Sequence, residues 1–153
     1  MTDFALILIL LVPAIGVAAL AVVSDYRASA WLNVVLSAIA LAGSLLLFAA
    51  PMRTGSYFII DSFNIYLVAL NTFVGFTTSI FSASYIAHEL DEGHLTPGYL
   101  KFYHALYQVM MTAMSLALLS NNLGLMWVGI EVATLSTVIM VGIYRTPQAL
   151  EAA

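Results

Sequence analysis

The sequence has no cysteine, and only 8% of its 153 residues are Asp, Glu, Lys or Arg. The first absence excludes disulfides, iron–sulfur clusters and zinc–thiolate sites. The second excludes an ordinary water-soluble globule, which carries about a quarter of its residues as charged side chains. Basic residues are scarcest: four Lys and Arg stand against eight Asp and Glu. That balance offers no electrostatic footprint for nucleic acid. No nucleophile–base constellation and no glycine-rich phosphate loop occurs either, so autonomous catalysis has no residues to carry it. What is present is apolar, at 63% hydrophobic residues and a mean hydropathy of +1.02. The composition is that of an integral membrane protein in contact with a lipid bilayer.

Five stretches are nearly free of formal charge: 4–23, 31–50, 62–87, 102–120 and 123–143. Each approaches or exceeds the ~20 residues a helix needs to cross a bilayer core. Irregular backbone cannot face lipid, and the alternation of a barrel strand is missing from runs such as Ala5 to Val12. The expected fold is therefore all-α integral membrane, with five transmembrane helices. No Lys or Arg precedes the first stretch, and its apolar run exceeds the ~7–15 residues of a signal-peptide core, so it reads as a retained span. Pro13 inside it predicts a kink or a free backbone carbonyl. Arg27, Lys101 and Arg145 fall on one side of such a bundle and Arg53 on the other. The positive-inside rule then puts the first group in the cytoplasm and the N-terminus outside.

Two connections are long. In residues 51–61 the run Tyr57-Phe58-Ile59-Ile60 could form a short hairpin strand. The segment from His88 to Lys101 holds His88, Glu89, Asp91, Glu92 and His94. These are metal-ligand residue types, but no fixed helical spacing aims them at one point, so the segment reads as a solvated cytoplasmic loop. After Arg145, Thr146-Pro147 is a helix start signal, with Glu151 suited to the positive end of the dipole. No stop signal follows, and the sequence reads as a fragment that opens a sixth helix.

Polar side chains inside the spans are periodic. Asn71, Gly75, Thr78 and Ser82 share one helical face, as do His104, Gln108, Thr112 and Ser115. Both rows should face other helices, as ordinary interhelical hydrogen bonds or as a water or proton path. Glu131 is the one charged residue of twelve that falls within a span. As the ninth residue of its stretch it lies about 12 Å along the helix, near mid-bilayer. A charge there costs about 3 kcal/mol on insertion scales, and reads by default as part of an ion or proton pathway. The alternative is a neutral carboxyl hydrogen-bonded to a neighbour such as Thr134. The sole lysine, Lys101, lies at a span boundary, and Arg27, Arg53 and Arg145 lie at interfaces, so no intramembrane cation is available to pair with Glu131.

The run Asn121-Asn122-Leu123-Gly124-Leu125-Met126-Trp127-Val128-Gly129-Ile130-Glu131-Val132-Ala133-Thr134-Leu135 resembles the fifth helix of the antiporter-like subunits. These occur in respiratory complex I, multisubunit sodium/proton antiporters and membrane-bound hydrogenases. Asp61-Ser62-Phe63-Asn64-Ile65-Tyr66 is similar to the opening of their third helix. The run His104-Ala105-Leu106-Tyr107-Gln108-Val109-Met110-Met111, with Ile143-Tyr144-Arg145-Thr146-Pro147, is most like the hydrogenase-4 component F branch.

The resemblance implies a fold of about fourteen helices with two inverted five-helix repeats, of which this chain is the N-terminal part. Residues 1–101 would hold three peripheral helices, 102–145 the first two helices of the first repeat, and 146–153 the start of a sixth. It implies that Glu131 is the essential glutamate of helix five, paired with a lysine on a broken helix seven that this sequence lacks. With Thr134, His104 and Gln108 it would line a proton pathway. Partners implied are other membrane subunits and, through them, a NiFe hydrogenase-type peripheral arm that holds the redox centres. No cofactor is expected in this chain. A subunit of complex I or of a sodium/proton antiporter, or a purely structural membrane component, are the alternatives.

Overall fold

The computed structural model describes residues 1–91, 97–144 and 151. Its helices are α1 (Thr2–Val22, with one wide turn at Ile7–Leu11), α2 (Tyr26–Leu47), α3 (Asn64–Asp91), α4 (Pro97–Leu119) and α5 (Leu123–Val141). A 3₁₀ turn, Gly142–Tyr144, follows α5. Five helices among the described residues are long and apolar enough to span a bilayer. The protein is all-α and membrane-embedded, as its composition requires.

Side-chain caps set the helix starts. The α2 helix begins at Tyr26 rather than at residue 31, because the Asp25 carboxylate accepts from the Ala28 N–H at 3.0 Å. That cap satisfies an orphan donor and lets a polar turn precede the apolar run. Asp61 does the same for α3, its Oδ1 accepting from the Phe63 and Asn64 N–H groups at 2.9 and 2.7 Å. Asn122 caps α5 by accepting from Gly124 and Leu125 N–H.

Pro13 is accommodated inside α1. A proline removes one backbone donor and crowds the carbonyl four residues back. The chain meets it with the π-type turn Ile7–Leu11, in which the Val12 N–H reaches five residues back to the Ile7 carbonyl. The expected disturbance thus takes the form of a widened turn just ahead of Pro13.

The connection between α2 and α3 folds as the expected hairpin. Strand β1 (Arg53–Thr54) pairs antiparallel with β2 (Ile59–Ile60), Arg53 opposite Ile60 and Thr54 opposite Ile59. Arg53 Nη1 also donates to Asp3 Oδ1 at 2.6 Å, tying the hairpin to the start of α1. Beneath it lies an apolar cluster of Ala5, Ile9, Leu47, Ile60, Ile65, Val68 and Leu119.

Helix α4 is the centre of the bundle and packs against all four others, whereas α5 packs chiefly on α4. Only 11% of the α5 span is buried, against 28–39% for the other four. One side of α5 is therefore the least covered apolar surface among the five spans.

Candidate functional site

The orientation of α5 is fixed by a glycine. A Cβ on Gly129 would lie 2.9 Å from the Ala113 carbonyl oxygen and 3.0 Å from the Ala117 nitrogen. Only glycine lets α5 approach the α4 backbone this closely. Ser136, seven residues on, is buried on the same face and donates to the Val132 carbonyl at 2.7 Å.

Glu131 is two residues beyond Gly129, a rotation of about 200° around the helix. It therefore points away from α4, and it is exposed on the uncovered side. Trp127 and Leu135, one turn to either side, are exposed with it. Thr134 is exposed too, and its Oγ1 donates to the Ile130 carbonyl at 2.9 Å. Among the described residues Glu131 has neither a hydrogen-bond nor an ion-pair partner. A mid-span carboxyl cannot rest against lipid at low cost.

His104 and Gln108 lie on a different side of α4, both fully buried. The Gln108 Nε2 donates to Asn33 Oδ1 at 2.8 Å, to Ser37 Oγ at 3.0 Å and to the Asn33 carbonyl at 3.1 Å. These bonds cross from α4 to α2. Ser44 Oγ and Thr72 Oγ1, 2.7 Å apart, link α2 to α3. Asn71 Nδ2 donates to Ser115 Oγ at 3.1 Å, Ser82 Oγ to Tyr103 Oη at 3.1 Å, and Tyr107 Oη to the Gly75 carbonyl, linking α3 to α4. The two polar rows expected to face other helices do so, and even Thr78, the exposed member, hydrogen-bonds with the Tyr107 hydroxyl of α4.

The polar row on α2 was not singled out from the sequence. Ser29, Asn33, Ser37 and Ser44 are all buried, and their spacing of four, four and seven is the same periodic signal that marked α3 and α4. Four buried side-chain atoms among the described residues have no hydrogen-bond partner: Ser29 Oγ, Asn33 Nδ2, and both ring nitrogens of His104. Each such group costs about 1–3 kcal/mol when left unmade.

Glu131 and Thr134 thus share the open face of α5, while His104 and Gln108 share the interior with α2. The structure does not bring the two pairs together. Among the described residues no three His, Asp or Glu side chains gather as a metal site. Of the loop expected from His88 to Lys101, residues 88–91 close α3 and 97–101 open α4, because the helices run on past the apolar stretches. Glu92 and His94 lie outside the described residues, as do Arg145 and the Thr146-Pro147 start of the expected sixth helix.

No protein-family model matches the chain. Among curated proteins it is similar to a hydrogenase-4 component F homolog of Methylacidiphilum infernorum (isolate V4), at 53% identity over 144 residues. The match takes in 94% of this chain and 30% of that relative's length. It bears out the resemblance carried by the Glu131 helix and by the His104 to Met111 run.

Proposed function

We propose that this chain is the N-terminal part of an antiporter-like, proton-translocating membrane subunit of a hydrogenase-4-type oxidoreductase complex. The observation that carries the reading is Glu131, a mid-span carboxyl on an apolar helix face that no described element covers. The chain spans about 30% of its relative's length, and further helices of the longer protein supply the missing cover. A lysine on one of them gives Glu131 its counter-charge. Making and breaking that pair changes how firmly each group holds its proton, which couples helix rearrangement to proton movement.

Within this scheme residues 1–101, which hold α1–α3 and the first turn of α4, form a peripheral buttress, and residues 102–145 carry the rest of α4 and α5 as the first two helices of the transporting repeat. Thr134 extends the polar surface beside Glu131, and His104 and Gln108 form a second polar station behind it. Arg27, Lys101 and Arg145 face the cytoplasm, with the N-terminus outside the bacterial inner membrane. The partners are the neighbouring membrane subunits and a NiFe-type peripheral arm, which holds the redox centres.

The test is Glu131→Gln in the complete subunit, assembled in its complex and reconstituted into vesicles. Glutamine keeps the size and removes the charge, so redox-driven acidification should be lost while the complex assembles. Normal acidification by the assembled variant would refute the reading. Loss of assembly alone would move the residue to a scaffolding role.

A further inference from the structure

Helices α2 and α4 run in the same direction. Each is antiparallel to α3, as the links Tyr26–Ala83, Ser44–Thr72, Ser82–Tyr103 and Asn71–Ser115 require. The Gln108–Asn33 bond sets the register between them. One turn back along each helix, Ser29 comes level with His104. The four unpartnered buried atoms therefore all belong to two adjacent levels of one helix pair.

One turn further on, a small cavity of about 10 Å³ is lined by Ser37, Thr72, Gln108 and Ser115 and by apolar side chains, Met111 among them. A space of that size admits about one water, provided two to four polar groups surround it. Here four polar side chains do. Apolar side chains close the row at both ends: Leu47, Val68 and Leu119 beyond Ser44, and Ile86 with Tyr26 and Tyr103 beyond Ser29.

We propose that the α2–α4 seam binds ordered water at these two places. One site is held by Ser29, Asn33 and His104, the other by Ser37, Gln108, Thr72 and Ser115. Water can donate to one ring nitrogen of His104 and accept from the other, a pairing that no apolar ligand offers. It also accepts from Asn33 Nδ2 and satisfies Ser29 Oγ. From Ser29 to Ser44 the row covers fifteen residues, about 22 Å of helix. The two water sites interrupt this row, with the direct Gln108–Asn33 and Gln108–Ser37 bonds between them, on a face of α4 separate from Glu131 and independent of any role for that residue.

The experiment uses the full-length subunit in its assembled complex, held in lipid nanodiscs and exposed to a brief X-ray pulse in H₂¹⁸O. Hydroxyl radicals form where water is, and methionine next to water becomes the sulfoxide. Met52, exposed in the hairpin loop, reports bulk water, and Met114, exposed on the apolar outside of α4, reports lipid. Met111 should be labelled with ¹⁸O, Met114 should not, and Gln108→Leu should remove the Met111 label while leaving that of Met52. Labelling of Met52 without Met111 would overturn the cavity site. The histidine site is read from a density map of the same complex that resolves ordered water elsewhere. Density within hydrogen-bond reach of His104 and Ser29 is expected, and an empty, dry contact there overturns that half of the proposal.

Discussion

Gly129 of α5 lies against the Ala113 carbonyl of α4 so closely that a Cβ at that position would sit 2.9 Å from the oxygen. The obstacle is backbone, which cannot turn aside. Gly75 of α3 presents the opposite case, because an added Cβ would meet the terminal methyl of Met111. A methionine end is flexible and can swing away.

Gly129→Ala should therefore destabilise the helix bundle by about 1–3 kcal/mol, the usual cost of overpacking, and Gly75→Ala by clearly less. Thermal melts of the detergent-solubilised protein compare the two. Equal shifts would mean that α5 is not seated on α4 through this glycine.

The Asp25 cap makes a second prediction. Asp25→Ala should cost about 1 kcal/mol and fray the first turn of α2. Hydrogen exchange at the Ala28 amide reads this directly, and the exchange should accelerate there and not in the middle of α2. Unchanged protection would mean that the cap contributes nothing.

Gln108 and Asn33 should be energetically coupled. Interhelical hydrogen bonds in membranes contribute about 0.6 kcal/mol on average and up to about 1.7. This contact, fully buried and at 2.8 Å, belongs to the upper part of that range. A double-mutant cycle with Gln108→Leu and Asn33→Leu measures the coupling by unfolding. Strict additivity would show that the bond is not formed in the bilayer.

The open face of α5 makes a prediction about the longer protein. Trp127 lies one turn from Glu131 on that face, and Trp31 is the only other tryptophan. With Trp31→Phe, emission of this chain reports Trp127 alone, and in the full-length subunit every tryptophan outside this segment is replaced by phenylalanine as well. Brominated lipids should quench it strongly when this chain is studied by itself and weakly in the full-length subunit. Equal quenching in both would mean that no helix covers Glu131.

The spans were legible because hydropathy acts over about twenty residues, and a bilayer tolerates little else. The hairpin was legible from its β-branched and aromatic run. The start of α2 was not, because a single carboxylate at Asp25 extends the helix past the apolar stretch, and a window average does not register a cap. The row from Ser29 to Ser44 carried the right period but no ionisable group to draw the eye, and small hydroxyls also occur on lipid-facing turns. Partnership is a tertiary property: His104 and Gln108 share a spacing and a face, yet one has three acceptors within reach and the other none. Which way Glu131 faces depends on Gly129 and on the two alanines it meets, a relation between helices that no single helix encodes.

The hairpin has a mechanical consequence for α5. Asn121, at the elbow between α4 and α5, donates from its N–H to the Tyr57 carbonyl and from Nδ2 to the Gly55 carbonyl, both at 2.7 Å, and Ser120 bridges to Phe58. The near end of α5 is thus pinned, and its far end is held mainly by α4. The Asn121 elbow and the Gly129 contact with the α4 backbone are two fixed points on one helix, and together they set its line across α4. Glu131, two residues beyond the second point, is held at a set place on the open face.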